Sequence, residues 1–327
     1  MEDFHPAVRS WFADRFPDGP TPPQSAAWPH IAARHDTLVA APTGSGKTLS
    51  AFLVAIDRLY RAHERGEAVD NVARVVYVSP LKALAVDIAE NLERPLHEIA
   101  SRARELGLSA PLIRVGVRSG DTPTSQRAAM VRKPPAFIVT TPESLYLMCT
   151  SERSRAALST VDTVIIDEIH SLARDKRGSH LALTLERLEH ICATRPVRVG
   201  LSATQKPIST VANLLVGTRR TSSGDTACRV VDEGHVRELD LSLVIPPSEM
   251  EAIAPAEQMG EILDHMADQV RAHTTTLVFV NTRRMAERVA HQLGERLSVD
   301  GEDAEANVVA HHGSLSKERR LSVERRL

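Results

Sequence analysis

The sequence predicts an α/β fold built on a doubly wound parallel sheet. A short apolar, β-branched run, then a small polar residue or a proline, and then a helix recur along the chain. Strands read as near-continuous hydrophobic runs when helices cover both faces of a parallel sheet. The polar residues of the unit fall at the carboxyl ends of the strands, where open parallel sheets bind ligands. A functional site is therefore expected at that edge.

Six stretches carry the repeated unit, and each predicts one strand followed by one helix. In chain order they are "DTLVAAPTGSGKTLSAFLVAI" at 36–56, "ARVVYVSPLKALAVDIAENL" at 73–92, "AFIVTTPESLYLM" at 136–148, "DTVIIDEIHSLA" at 162–173, "VRVGLSATQKPI" at 197–208 and "TTLVFVNTRRMAERVAHQL" at 275–293. The part of the chain before residue 245 has room for a complete domain of about seven strands.

A boundary is predicted after that part. The alternating "VRELDLSLVI" at 236–245 is typical of a strand, and the following "IPPSEMEAIAPAE" is rich in proline and acids and lacks apolar periodicity. We expect domains at 1–245 and 257–327 with a linker at 246–256. The second contains a helix, a strand "TLVFVN", a helix, a strand "NVVAHH" and the start of another helix, which is about half a domain.

Composition excludes several classes of protein. The chain has 327 residues, 42% of them hydrophobic and 25% charged, which is typical of a globular protein. Its 40 basic and 42 acidic residues nearly cancel, so nucleic acid would have to bind along a local track. Cys149, Cys192 and Cys228 lie far apart, which disfavours a disulfide scaffold or a zinc ribbon. No signal peptide or membrane-spanning run is evident, so we expect a cytoplasmic protein without a membrane partner.

The stretch "APTGSGKT" predicts a phosphate-binding loop. In such a P-loop, amides of a glycine-rich turn cradle phosphate oxygens, the lysine reaches the β and γ phosphates, and the next hydroxyl binds Mg²⁺. The alternative is a plain strand-to-helix turn, and the first glycine of the usual motif is replaced here by alanine. The preceding strand and the following apolar helix favour nucleotide binding. The candidate residues are Ala41, Pro42, Thr43, Gly44, Ser45, Gly46, Lys47 and Thr48.

Two adjacent carboxylates follow the buried run "TVII". Asp167 is a candidate ligand of Mg²⁺, together with Thr48, and Glu168 is a candidate to polarise the attacking water. The alternative is an acidic N-cap on the next helix. The P-loop upstream favours the catalytic interpretation.

The ordered stretches "APTGSGKT", "SPLKALA", "TTPESL", "DEIH", "LSAT" and "TLVFVNTR" resemble the motifs of superfamily 2 DExH-box helicases. More narrowly, "PTPPQSAAWPHI", "KRGSHLALTLERL" and "HHGSLSKERR" resemble the large helicase-related (Lhr) family. This resemblance covers almost the whole chain. It implies a motor of two RecA-like domains that uses ATP and Mg²⁺ as cofactors. Such a motor moves along single-stranded DNA and unwinds DNA duplexes or RNA–DNA hybrids.

The resemblance also implies roles for single residues in the nucleotide site. Gln24 in "PPQ" matches the residue that reads adenine, while Lys47, Asp167 and Glu168 match the catalytic set. The upstream aromatics are candidates to stack on the base, but their amphipathic spacing favours core packing for at least two of them. These aromatics are Trp11, Phe12 and Phe16.

A hydroxyl residue and a proline that open a helix leave backbone amides free for a phosphate. On this ground Ser79, Lys82, Thr141 and Glu143 are candidates for a track that binds single-stranded DNA or RNA. The alternative is helix capping alone, which is equally consistent with Glu143.

Three further residues match positions that link the nucleotide site to nucleic-acid binding in the family. They are His170 in "DEIH" and Ser202 and Thr204 in "LSAT". The alternative for "LSAT" is a strand-to-helix cap. In the second domain "NTRR" and "HHGSLS" resemble nucleic-acid contacts, and a zinc site at His311 and His312 is disfavoured because no acid or cysteine stands at ligand spacing.

The family's "GID" and "QRxGRxGR" motifs have no counterpart in the sequence. In the family the second domain presents arginines that stabilise the transferring phosphate, so we expect a partial second RecA-like domain, a missing C-terminal part beyond Leu327, and slow hydrolysis by this chain. The alternative function is a clamp that binds nucleotide and nucleic acid without turnover. A GTPase-like switch is disfavoured because no NKxD motif follows the P-loop.

Overall fold

A computed structural model describes residues 1–234, 240–248, 255–298, 308–312, 314–315 and 322–323. The chain divides into two compact units, Met1–Arg237 and Glu238–Leu327.

The first unit contains a seven-stranded parallel sheet in the order β3-β4-β2-β5-β6-β1-β7. This confirms the predicted α/β fold. The strands are β1 Thr37–Ala40, β2 Val75–Val78, β3 Val115–Arg118, β4 Phe137–Thr140, β5 Thr163–Ile166, β6 Val197–Ser202 and β7 Arg229–Asp232. The helices are α1 Pro6–Arg15, α2 Pro22–Ala32, α3 Lys47–Glu64, α4 Lys82–Glu105, α5 Thr124–Arg132, α6 Pro142–Thr150, α7 Glu152–Leu158, α8 Ile169–Leu172, α9 Lys176–Ile191 and α10 Ile208–Val216.

Helices cover both faces of this sheet, which is why its central strands are mostly apolar. Successive side chains of a strand point to opposite faces. Val39 and Tyr77 therefore pack in one core with α1 to α4, whereas Leu38 and Val76 pack in a second core with α6 to α10. Every residue of β1, β2, β4, β5 and β6 is buried.

The two N-terminal helices lie against α3 and α4 and begin at well-defined caps. The His5 imidazole accepts a hydrogen bond from the Ala7 amide at 3.2 Å, and Thr21 forms a capping box with Gln24. The side chains of Trp11 and Phe12 lie in the core, with only 7% and 2% of their surface exposed. Core packing is therefore confirmed for these two aromatics.

A buried arginine lies in β6, a strand whose other residues are apolar except for Ser202 at its end. Arg198 is 1% exposed, and its guanidinium donates to Glu186 at 2.9 Å, to Glu189 at 2.8 Å and to the Leu215 carbonyl at 3.1 Å. Burial lowers the pKa of Arg198, and the neighbouring Arg219 charge lowers it further. A charge buried this deeply is tolerated because both terminal nitrogens of the guanidinium have hydrogen-bond acceptors.

The second unit contains helices α11 Ala256–Ala272 and α12 Arg283–Leu297, as predicted around "TLVFVN". The strand prediction for "TLVFVN" is wrong, since residues 276–281 are irregular and Phe279 is 91% exposed. The described residues of "NVVAHH", 308–312, and of "VRELDLSLVI", 240–245, form no strand either. A strand requires a hydrogen-bonded neighbour, and no described residue of this unit supplies one.

The remaining residues of those two stretches, and most of the predicted last helix, lie outside the described residues. None of the helices in the described part of the chain combines the length and the apolar character that a bilayer crossing needs.

Candidate nucleotide site

A cavity of about 480 Å³ opens at the carboxyl end of β1. It brings together many of the residues predicted from separate stretches of sequence. Its lining consists of Phe16, Gly19, Thr21, Gln24, Thr43, Gly44, Gly46, Lys47, Thr48, Leu49 and Glu168. Ala41, Pro42 and Ser45 belong to the same loop without lining the cavity, and Ala41 is fully buried at the end of β1.

The loop between β1 and α3 has the backbone that the P-loop pattern requires. Gly44 and Gly46 have φ angles of 82° and 79°, a left-handed region that other residues enter at a cost. Gly46 is the N-cap of α3, so the first amides of an 18-residue helix face the cavity. Unpaired amides and the helix dipole together make such a terminus an anion site.

Gly46 is also packed against the segment that contains Gln24. A Cβ atom at Gly46 would lie 2.4 Å from Gln24 Nε2. We expect Gly46→Ala to lower the free energy of unfolding by about 1–2 kcal/mol from the left-handed backbone alone, and to weaken nucleotide binding because Gln24 must move. Urea unfolding and a nucleotide titration measure the two effects.

Gly66→Ala is the matched control. Gly66 has a φ of 75°, and nothing lies within 4 Å of a Cβ atom placed there. It should therefore show the loss of stability without the loss of nucleotide affinity. Equal nucleotide affinities for the two variants would contradict the proposed role of the close contact at Gly46.

Lys47 and Glu168 face each other across the cavity. The Lys47 Nζ atom lies 3.6 Å from Glu168 Oε1 and 3.5 Å from the Ala41 carbonyl oxygen, and the residue is only 5% exposed. A buried ammonium requires a partner, and the carboxylate provides one. The phosphates of a nucleotide are a stronger partner for this ammonium, and their binding would free Glu168 to act on water.

Asp167 lies just beyond β5 and is 6% exposed. Its amide donates to the Val78 carbonyl at 2.9 Å, and its Oδ1 accepts from the Glu168 amide at 2.9 Å. Burial raises the pKa of Asp167, and the neighbouring Glu168 carboxylate adds to this effect, while the Tyr77 hydroxyl and Lys47 oppose it. A cation bound beside Asp167 would remove the cost of this buried charge.

The Asp167 pKa predicts opposite effects of Asp167→Asn on stability and on binding. Because the folded-state pKa is raised, the carboxylate costs stability once it is ionised, and this cost develops as the pH rises through its pKa. Asp167→Asn should therefore raise the melting temperature at neutral pH and weaken Mg²⁺-dependent nucleotide binding. The gain in stability should vanish at acidic pH, where Asp167 is protonated in both states. A variant that melts below the parent protein at neutral pH would contradict this reasoning.

Glu168 and His170 connect the ends of β5 and β6. Glu168 has a φ of 43°, and its Oε2 lies 3.3 Å from His170 Nε2. The other ring nitrogen, Nδ1, accepts from the Ala203 amide at 3.1 Å, and the buried Ser202 hydroxyl donates to the Ala203 carbonyl. Thr204 is exposed on the same loop. A change at Glu168 can thus reach the loop after β6 through one imidazole.

The side chain of Gln24 is 3% exposed and is tied to the P-loop. Its Oε1 accepts from the Thr21 amide at 3.0 Å, its Nε2 donates to the Gly46 carbonyl at 3.3 Å, and the Thr21 hydroxyl donates to the Ser45 carbonyl at 2.8 Å. The segment predicted to read adenine therefore also braces the turn predicted to hold phosphates.

Phe16 is a site residue that sequence reasoning did not separate from its neighbours. Its ring lies at 4.8 Å from that of Phe12 and lines the cavity, whereas Trp11 and Phe12 are buried. Amphipathic spacing describes all three aromatics equally well, so no local signal in the sequence singles out the one at the cavity.

The candidates for nucleic-acid binding lie at the ends of β2 and β4, which are neighbours in the sheet. The Ser79 hydroxyl donates to the Leu81 carbonyl at 3.1 Å, and the Thr141 hydroxyl caps α6 by accepting from the Ser144 amide. Both residues are buried. Lys82 is exposed and pairs with Asp121 at 2.8 Å, and Glu143 is likewise paired, with an arginine of α9. The binding role of these residues remains a prediction.

Comparison with known proteins places the chain among helicases. A family profile described as DEAD/DEAH box helicase matches residues 21–214. The chain is 43% identical over 98% of its length to a protein of Mycolicibacterium smegmatis named Lhr helicase/probable uracil glycosylase, and 44% identical over 99% of its length to the ATP-dependent helicase Lhr-Core of Methanothermobacter thermautotrophicus. It spans only 22% and 36% of those two relatives.

A solved structure gives the same result. The structure of Mycobacterium smegmatis helicase Lhr bound to single-stranded DNA and AMP-PNP is 44% identical, with a TM-score of 0.81 over 98% of this chain and 40% of that one. The resemblance to Lhr helicases drawn from the ordered motifs is thereby confirmed. The matched profile covers more than half of the sequence, and the chain therefore belongs to the DEAD/DEAH box helicase family.

Proposed function

We propose that this chain binds ATP and Mg²⁺ in the cavity at β1 and uses ATP hydrolysis to move along single-stranded nucleic acid, DNA in the first place. The observation that carries this proposal is the meeting of Lys47 and Glu168, from two distant motifs, in one cavity at a helix N-terminus. The Lhr structure with bound single-stranded DNA and AMP-PNP supports both parts of this proposal, nucleotide binding and nucleic-acid binding.

In this proposal the loop residues hold the nucleotide. The amides of residues 43–48 and Lys47 Nζ bind the β and γ phosphates, and Gln24 lines the same cavity. The exposed part of the Phe16 ring offers the base a face for stacking. Because Gln24 also contacts Gly46, a base bound at Gln24 would stabilise the phosphate-binding turn.

Thr48 and Asp167 fit a Mg²⁺ ion that is shared with the phosphates. Among the residues that the structure describes, no three His, Cys, Asp or Glu side chains lie close enough together to hold a metal ion by themselves. Magnesium is commonly bound by one or two carboxylates, a hydroxyl and the phosphates of a substrate, and the chain supplies the carboxylate of Asp167 and the hydroxyl of Thr48. Bound there, the ion would neutralise charge on the transferring phosphate.

The catalytic work of the chain itself lies with Glu168. Released from Lys47, its carboxylate can accept a hydrogen bond from a water molecule and orient it toward the γ phosphate. His170 and the loop with Ser202 and Thr204 would then carry the state of the nucleotide to the nucleic-acid edge.

The nucleic-acid edge is assigned to the carboxyl ends of β2 and β4. Ser79, Lys82, Thr141 and Glu143 surround it, and helix-start amides with few cations would hold a strand by its backbone, without reading its sequence. For the domains we propose residues 1–245 as the ATP-binding domain, 246–256 as the linker and 257–327 as part of a second RecA-like domain. The division into units at residue 237 supports a boundary in this region.

ATP hydrolysis with and without single-stranded DNA tests this function. We expect Mg²⁺-dependent ATP binding and slow turnover that DNA accelerates, and we expect Glu168→Gln to retain binding and lose turnover. Binding of both ligands without any turnover would favour the clamp instead. Failure to bind Mg²⁺-ATP would rule out both functions.

A further inference from the structure

Arg177, in the first turn of α9, connects two loops that are distant in sequence. Its Nε donates to Glu143 Oε1 at 2.7 Å, and its Nη2 donates to the Pro80 carbonyl oxygen at 2.7 Å. Glu143 opens α6 after β4, and Pro80 lies in the turn between β2 and α4. A single side chain therefore holds the two segments that make up the candidate nucleic-acid edge.

The sheet order gives these contacts their meaning. The strands β4, β2 and β5 are adjacent, and α9 follows β5 through α8. Arg177, in the segment that follows β5, thus contacts the segments that follow β2 and β4, and so links the carboxyl ends of three neighbouring strands. The strand β5 also leads into Asp167 and Glu168. The segment from Asp167 to Arg177 therefore begins at the nucleotide site and ends at the candidate nucleic-acid edge.

The backbone of Arg177 is held firmly at the start of α9. The Asp175 carboxylate caps α9 by accepting from the amides of Arg177 and Gly178 at 2.8 and 3.3 Å. A Cβ atom at Gly178 would lie 2.1 Å from the Leu172 carbonyl oxygen, so the helix start packs directly on α8. A planar guanidinium has donors on two sides and can therefore bridge two acceptors, whereas an ammonium does not match this geometry.

The charges at this bridge agree with a stable pair. Burial alone would raise the pKa of Glu143, but the hydrogen bond and the charge of Arg177 outweigh it and lower the pKa. The hydrogen bond to Glu143 raises the pKa of Arg177. Both residues are partly exposed, so the value of the bridge lies in geometry more than in stability.

We propose that Arg177 is a positioning residue for single-stranded nucleic acid, holding the turn after β2 and the start of α6 in one register so that their amides and Lys82 meet successive phosphates of one strand. The proposal rests on the function proposed above. Arg177 acts through Glu143 and Pro80, with its Nε and one Nη nitrogen already committed to them, and makes no phosphate contact of its own.

Titration of a fluorescent oligothymidylate at several salt concentrations tests this role. We expect Arg177→Ala to weaken binding about tenfold without changing the slope of log affinity against log salt, because no phosphate contact is lost. Lys82→Ala should instead reduce that slope by about 0.7. Lys176→Ala is the matched control, since it removes an exposed charge from the same helical turn without breaking either contact, and it should change affinity less than about twofold.

Two further variants separate positioning from direct contact. Arg177→Lys should not restore affinity, because an ammonium cannot hold both acceptors at once. Since Arg177 acts through Glu143, the double variant Arg177→Ala with Glu143→Ala should bind no more weakly than Arg177→Ala alone. A lower salt slope for Arg177→Ala with additive losses would show a direct phosphate contact and overturn the proposal, and so would an unchanged affinity.

A second measurement needs no nucleic acid. Amide hydrogen exchange in 79–82 and 142–145 should accelerate in Arg177→Ala and remain unchanged in Lys176→Ala. If the parent protein fails to bind the oligonucleotide, the proposed function fails while the exchange still reports on positioning. Unchanged exchange in Arg177→Ala would overturn the positioning role by itself.

Discussion

Replacing Lys47 with alanine should weaken binding of Mg²⁺-ATP at least about tenfold, which corresponds to about 1.4 kcal/mol or more. Of the described residues that line the cavity, Lys47 is the one cation, and it is almost fully buried there. Its removal leaves the phosphates with helix amides alone and leaves Glu168 facing them without a counter-charge. Isothermal titration with AMP-PNP in the presence and absence of Mg²⁺ measures the loss.

Lys133→Ala is the control for this experiment, because Lys133 is exposed at the end of α5 and lies outside the cavity. It should bind nucleotide as the parent protein does. An affinity of Lys47→Ala within about twofold of the parent value would contradict the P-loop assignment, whatever the behaviour of the control.

Replacing Arg198 with alanine should lower the free energy of unfolding of the first unit by about 3 kcal/mol or more. The substitution leaves a cavity in β6, removes the donor of the Leu215 carbonyl and takes one cation from Glu189. Arg219 and Arg195 also pair with Glu189, at 2.6 and 3.7 Å, and keep that carboxylate from becoming fully unpaired. This compensation places the expected loss at the lower end for a broken buried pair.

Urea unfolding of Arg198→Ala and of a surface variant tests this expectation. Arg102 pairs with Asp14 and Glu105 at the surface, so Arg102→Ala should cost less than about 1 kcal/mol. Arg198→Met refills most of the cavity and should recover part of the loss. Equal costs for Arg198→Ala and Arg102→Ala would show that the buried network contributes nothing beyond a surface pair.

The parts of the fold that could be predicted from sequence are those with a buried, continuous apolar run. The central strands β1, β2, β4, β5 and β6 were all predicted, since both of their faces lie under helices. The edge strands β3 and β7 were missed, because each has one neighbour and is only partly buried. At 276–281 the apolar, β-branched pattern predicts a strand that the structure lacks, because no described residue supplies a partner strand there.

The same distinction applies to the candidate site. The P-loop and the Asp167–Glu168 pair could be predicted because the proposed chemistry requires particular residues at adjacent positions on one strand-to-helix turn. Phe16 and Arg177 could not be singled out, because long-range packing sets their partners. Phe16 reaches the cavity because α1 folds against the rest of the first unit. Arg177 bridges to Glu143 and Pro80, which precede it in the chain by 34 and 97 positions.

The sequence by itself determined the α/β class, the glycine-rich turn after β1, the acidic pair after β5 and the membership of a helicase family, since each rests on local periodicity or on short ordered motifs. Only the tertiary structure decided that Lys47 faces Glu168, that Gln24 braces Gly46, that Arg198 has acceptors in the core and that Arg177 joins three strand ends. The physical reason is that side-chain contacts depend on how the strands are ordered across the sheet. Apolar runs reveal that strands exist, but they carry no information about which carboxyl ends become neighbours.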